Sequence, residues 1–292
     1  MKILVTGAKG QLGSELVEII KNGKAEIGKV SENIKLSQVI AFDVNELDIT
    51  NLPMVKAKLN YLKPHVVINC AAATNVDGCE SNEDIAFKIN SIGPRNLAIA
   101  CEEVEAKLVQ VSTDYVFSGN INKPLREYDS TAPNNVYGKS KLQGERYVQQ
   151  FCSKYFIVRT AWLYGYVGHN FVYTMIKLGK EKDSISVVND QRGNPTYAND
   201  LACHILKLIE TEEYGIYHCT NNGECTWYDF AKTIIELLGE KCEVKPCTSE
   251  EYKNSAKRPQ YSSLDNMMLR NTIGDEMRDW KDAIKSFIKK VK

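Results

Sequence analysis

The sequence predicts an α/β fold: a doubly wound parallel sheet covered by helices on both faces, with a smaller α/β lobe attached. Three observations carry this. Short unbroken apolar runs alternate with helical periodicity through the first 165 residues. Glycines 7, 10 and 13 punctuate the first run-to-helix junction. After about residue 165 the alternation loosens. Strands buried on both faces read as continuous apolar runs, and right-handed crossovers then place any ligand at the carboxyl ends of the strands.

The elements follow in order. Residues 3–5 are the first strand and 12–20 the first helix. Residues 23–37 are polar and irregular, lengthen the first crossover and receive no function. Residues 38–42 form the second strand, ending at Asp43. The β-branched run Val66, Val67 and Ile68 is the third, ending at Asn69. A long helix at 85–101, a strand at 107–111, a helix at 140–150 and a strand at 156–158 complete the first part. Helices at 171–178, 199–209, 227–238 and 280–291 then alternate with strands at 185–188 and 216–219. This divides the chain into a first domain, 1–165, completed by about 194–220, and a smaller lobe of 166–193 and 221–292. No repeat, low-complexity segment or Pro-rich linker occurs, so the two parts pack together.

Composition excludes several classes. Lys+Arg and Asp+Glu both number 37, so the chain as a whole has no electrostatic reason to bind nucleic acid or a membrane surface. A local basic pocket for a phosphorylated substrate stays open. Nine cysteines are scattered without a C-x-x-C pair, and His65, His169, His204 and His218 are isolated; reduced thiols and no metal are expected. The apolar start is too short for a secretory signal, and no run approaches the roughly 20 apolar residues of a membrane span, so the expected location is cytoplasmic.

Gly7, Gly10 and Gly13 form G-x-x-G-x-x-G between strand and helix. The first glycine permits a tight turn, the second lets a pyrophosphate approach amides at a helix start, and the third lets helix and sheet pack closely. This marks the first domain as dinucleotide-binding. Asp43 ends the second strand, where a carboxylate accepts hydrogen bonds from a ribose and repels a 2′-phosphate. No Arg or Lys follows at once, which favours NADH, with NADPH as the alternative. Asp48 and Ile49 fall near the adenine. The small residues Ala71, Ala72 and Ala73 follow the third strand, where a cofactor can lie against the backbone.

Tyr137 and Lys141 form Y-x-x-x-K. Positions four apart share a helix face, and an ammonium beside a phenol favours the phenolate. Such a tyrosine gives a proton to an oxygen that is receiving hydride. Thr113 lies just past the strand at 107–111, placed to hold a carbonyl oxygen beside that hydroxyl. Trp162 and Tyr164 follow another strand and either stack on a sugar or pack the core. Arg192 and Arg258 either meet diphosphate oxygens or stay solvated. Trp227, Tyr228 and Phe230 read as lobe packing.

With these motifs and residues 69–73, 112–117, 135–141, 159–164, 189–196 and Arg258-Pro259, nearly the whole chain resembles the extended short-chain dehydrogenase/reductases, and within them the dTDP-4-dehydrorhamnose reductase family. The resemblance implies reduction of the C4 ketone of dTDP-4-dehydro-L-rhamnose, a dTDP-linked 4-keto-6-deoxy sugar, to dTDP-L-rhamnose. It implies Thr113, Tyr137 and Lys141 as the catalytic trio. Gly10, Gln11, Leu12, Asp43, Ala72, Ala73 and Thr74 would touch the cofactor, and Thr113, Asp114 and Trp162 the sugar.

The chain departs from that family in two places. Ala73 stands where the family often has histidine. Of the scattered glutamates through which some members bind metal at a dimer interface, only Glu15 is matched, so the expectation is no metal, in a monomer or homodimer. The related dehydratases carry Asp-Glu after the threonine. Here the pair is Asp114-Tyr115, so the base that dehydration needs is absent. The alternatives are another nucleotide-sugar reductase or epimerase of this family, or a non-catalytic NAD(P)-binding regulatory subunit. The complete Thr113/Tyr137/Lys141 set disfavours the latter.

Overall fold

The computed structural model describes residues 1–252 and 256–292. Its centre is a six-stranded sheet of β1 (Lys2–Thr6), β2 (Gln38–Phe42), β3 (Val66–Asn69), β4 (Lys107–Thr113), β5 (Tyr155–Thr160) and β6 (Gly215–His218). The order is β6-β5-β4-β3-β1-β2, and every pairing is parallel. From β1 the chain steps outward to β2, then crosses back to β3 on the other side. This reversal opens a crevice at the carboxyl ends of β1 and β3.

The longer helices are α1 (Gln11–Asn22), α2 (Leu52–Leu62), α3 (Gly93–Glu103), α4 (Val136–Phe151), α5 (Phe171–Glu181), α6 (Ala198–Leu208), α7 (Trp227–Leu238) and α8 (Trp280–Val291). Alternation along β1 explains the two layers. Ile3 and Val5 pack with Leu12, Leu16, Leu201 and Ile205, from α1 and α6. Leu4 packs on the other face with Val55, Leu97 and Val148, from α2, α3 and α4. A separate core gathers Tyr164, Val172, Phe230, Trp280 and Phe287 between α5, α7 and α8. Beside it the strands Ser184–Val188 and Glu243–Cys247 pair in parallel.

The doubly wound reading of the sequence is thus borne out, with differences in detail. Residues 23–37 are ordered: Lys24–Ala25 and Gly28–Lys29 form a small antiparallel ribbon, followed by a helical turn at Glu32–Lys35. The expected helix at 85–101 is broken by a π-helical turn, Lys88–Ile92. α4 begins at Val136, one turn before the expected 140, because the Asn135 side chain accepts from Gly138 N at 2.8 Å. α2 has no counterpart among the expected elements. Asn51 caps it, but only Val55 and Leu59 are buried, so its apolar stripe is thin. Among the described residues, no helix is long and apolar enough to cross a membrane.

Candidate active site

The glycine turn is built by close contact. Gly7 has φ +62°, and a Cβ there would fall 2.7 Å from Ala71 N; a Cβ on Gly13 would fall 2.3 Å from the Gly7 carbonyl oxygen. Gly10 caps α1 without a side-chain hydrogen bond, so the first amides of the helix remain available to an anion. A cleft of about 890 Å³ opens from this turn along the carboxyl ends of the strands. The cradle that these missing side chains leave fits the phosphates of a dinucleotide.

The structure gathers most of the residues singled out in the sequence around this cleft. Gly7, Gly10, Gln11, Leu12, Gly13, Asp43, Asp48, Ile49, Ala71, Ala72 and Thr74 line one part. Thr113, Asp114, Tyr137, Lys141, Trp162 and Tyr164 line the rest. Asp43 folds its carboxylate onto Val44 N at 2.7 Å, and Asp48 accepts from both Thr50 N and Thr50 Oγ1.

Two expected contacts are not among the lining residues. Ala73 has its N–H and carbonyl both bonded to the Asn90 side chain, at 2.8 and 3.0 Å, and packs against Cys79 and Val136. Arg258 donates to Asp77 Oδ2 at 2.7 Å, and Ala256 N donates to the other Asp77 oxygen. The arginine is therefore engaged with a carboxylate beside the cleft.

Tyr137 sits in the first turn of α4 and Lys141 one turn on. Burial pushes the Tyr137 phenol above its ordinary range, and the neighbouring Thr113 hydroxyl opposes that. The expected lowering of the phenol by Lys141 is not found. The Lys141 ammonium donates to the Val111 carbonyl at 2.6 Å instead, and burial brings its own pKa down to about 8 against the pull of Glu145. Thr113 donates to Asp114 Oδ1 at 2.9 Å. Burial raises Asp114 to about 6, with the Ser262 and Thr113 hydroxyls opposing. Tyr115 lies edge-on to Tyr137, with ring centroids 5.6 Å apart.

Sequence reading missed several residues. Lys9, Cys70, His169, Asn170, Phe171 and Trp227 also line the cleft. Trp227, read from the sequence as lobe packing, stacks face to face on Trp162 at 3.6 Å. Asn170 donates to Gln11 Oε1 at 3.0 Å, bringing the start of α5 onto the glycine turn. Only its position before a helical run marks Asn170 in the sequence. Among the described residues, no three His, Cys, Asp or Glu side chains are grouped to hold a metal ion.

The whole chain, residues 1–292, matches the family model described as RmlD substrate binding domain. The chain belongs to the RmlD family of extended short-chain dehydrogenase/reductases. Among solved structures, this RmlD-family member is similar to a dTDP-4-dehydrorhamnose reductase from Clostridium acetobutylicum ATCC 824. That match has a TM-score of 0.94 and 51% identity, and covers 100% of this chain and 99% of that one. It is also similar to the dTDP-4-dehydrorhamnose reductase of Bacillus anthracis str. Ames in complex with NADP, with a TM-score of 0.92, 44% identity and 99% of each chain covered. The spore coat polysaccharide biosynthesis protein SpsK of Bacillus subtilis (strain 168) is 39% identical over 98% of this chain and 96% of that protein. This RmlD-family chain is an NAD(P)-dependent oxidoreductase.

Proposed function

We propose that this reductase converts dTDP-4-dehydro-L-rhamnose to dTDP-L-rhamnose, with Tyr137 as proton donor. The observation that carries the reading is the shared cleft: the glycine turn and the Thr113, Tyr137 and Lys141 side chains line one cavity. A reduced nicotinamide dinucleotide, when bound, supplies the hydride that reaches C4 of the ketone. Gly7, Gly10 and Gly13 accommodate its phosphates, and Asp43 accepts from its adenosine ribose, which favours NADH while Lys9 beside the turn leaves NADPH acceptable.

Tyr137 gives its phenolic proton to the ketone oxygen as the carbon is reduced. Burial keeps that phenol protonated, which suits an acid. Thr113 orients the oxygen, and Asp114 and Trp162 meet the sugar. Lys141 holds the nicotinamide ribose and neutralises charge left on the phenol oxygen. Tyr115 stands where a dehydratase needs a carboxylate base, so its edge-on phenol supports direct reduction.

The test is loss of reduced-cofactor absorbance with dTDP-4-keto-6-deoxyhexose and its 3,5-epimerase, run with NADH and with NADPH, and identification of the sugar product. Tyr137→Phe should lower kcat by about 100-fold or more while leaving cofactor affinity nearly unchanged. Wild-type turnover in that variant removes Tyr137 from the chemistry.

A further inference from the structure

Behind the cleft, α4 and the end of β4 are joined by a ladder of polar contacts that the chemistry above does not use in full. Tyr137, Lys141 and Glu145 are spaced four apart and share one face of α4. Each meets a group at the end of β4. The Tyr137 phenol lies beside the Thr113 hydroxyl. Lys141 donates to the Val111 carbonyl at 2.6 Å. Glu145 Oε1 accepts from Ser112 Oγ at 2.5 Å.

Glu145 is also held from β5. Arg159 donates from Nε to Oε1 at 3.0 Å and from Nη2 to Oε2 at 2.7 Å, a bidentate pair whose side chains are 3% and 1% exposed. Arg159 Nη1 lies 3.5 Å from both the Glu127 carbonyl oxygen and His218 Nε2. Burial holds His218 near a pKa of about 3, with Arg159 adding to the effect, so that ring is neutral. A buried ion pair gains little stability over an apolar pair of equal volume. Packing alone gives no reason for a carboxylate here, one turn past the catalytic lysine.

We infer that Glu145 is a positioning residue for the reduction: with Ser112 it fixes the height of α4 against β4, so that Tyr137 and Lys141 meet the reacting groups, and it sets a negative charge beside Lys141. The inference rests on the roles proposed above for Tyr137 and Lys141. The groups facing Lys141 are Glu145 on its own helix and Cys70 past the end of β3, whose thiol burial pushes up to about 12. Cys70 is therefore uncharged, and Glu145 is the anion that keeps Lys141 an ammonium. Arg159, Glu127 and His218 lie behind Glu145.

Two variants test this. Ser112→Ala removes one rung and leaves the ion pair intact. The double variant Glu145→Gln/Arg159→Gln removes both charges and keeps shape and hydrogen-bonding capacity. Thermal melting and NADH affinity are measured beside kcat and its pH profile. Ser112→Ala is expected to fold, bind NADH as wild type does, and lose on the order of tenfold in kcat, because misplacing reacting groups by a fraction of an ångström is costly. The double variant should shift the alkaline fall in kcat to lower pH: Lys141 loses its proton sooner without the adjacent anion, and loss of the Arg159 cation, which lies behind Glu145, offsets only part of that shift. If Ser112→Ala keeps wild-type kcat while Tyr137→Phe is inactive, the positioning role is overturned and the proton-donor reading survives. A folded double variant with an unmoved pH profile overturns the charge role. Should the double variant fail to fold, Ser112→Ala alone decides the positioning role, and Glu145→Gln assayed across pH in any folded fraction decides the charge. Wild-type turnover in Tyr137→Phe overturns the underlying reading instead.

Discussion

Asp114 is 2% exposed; the Thr113 hydroxyl reaches one of its oxygens, and the Ser262 hydroxyl lies beside the carboxyl as well. Burial raises the acid from 3.8 to about 6. A carboxyl raised on folding contributes stability that is full below pH 3.8 and is lost as the pH climbs through 6. Above that, the folded protein carries the cost of a buried charge, roughly 3 kcal/mol at most. Asp114→Asn keeps an acceptor for Thr113 and removes the charge. Its melting temperature relative to wild type should therefore rise between pH 5 and pH 8. A difference that does not change with pH would show that the carboxylate is well solvated. The sequence placed Asp114 by motif, and placed Thr113, Tyr137 and Lys141 by their positions after strands and along a helix. It did not show that Lys141 turns to the Val111 carbonyl, because that partner is a backbone atom of a strand 30 residues away.

At the level of elements, the inner strands β1, β3, β4 and β5 were legible because they are buried on both faces and read as largely apolar runs, while the edge strand β2 showed only as a short apolar run ending at Asp43. The π-turn at Lys88–Ile92 was not, since one extra residue in a turn leaves the average helical pattern nearly intact. That extra residue rotates the face of the helix and aims Asn90 inward. Its side chain bonds both backbone groups of Ala73 and, at 3.0 Å, the Ser140 hydroxyl on α4. The turn thus joins the segment after β3 to the catalytic helix. Asn90→Ala leaves the half-buried N–H and carbonyl of Ala73 without this partner and removes the buried bond to Ser140, and should cost about 1–3 kcal/mol. Urea unfolding measures that cost, and the KM for cofactor should rise with it. An unchanged urea midpoint would mean that water replaces the amide in full.

Across the whole molecule, the ribbon at residues 24–29 carries the tie that sequence periodicity was least able to show. Two-residue strands have no period, and the partners of Glu26 lie 140 or more residues away. Glu26 accepts from Tyr166 Oη, Tyr197 Oη, Arg278 Nη2, Ser286 Oγ and Lys290 Nζ, at 2.6–3.2 Å. Arg278 also grips the fully buried Asp200 on α6. One carboxylate therefore joins the ribbon after α1 to the aromatic core under α8. Burial alone would raise its pKa, but the bonds from Lys290, Ser286 and Tyr197 outweigh it and bring it from 4.5 down to about 2. A carboxylate depressed on folding contributes stability that is full above pH 4.5 and is lost as the pH falls toward 2. The upper bound is about 3 kcal/mol, reduced because Lys290 is half in solvent. Glu26→Gln should therefore destabilise the protein by about 1–3 kcal/mol at pH 7, with the gap to wild type closing as the pH falls from 4.5 toward 2. Urea unfolding across that range measures it. A deficit that persists unchanged at low pH would assign the role of Glu26 to packing rather than to charge.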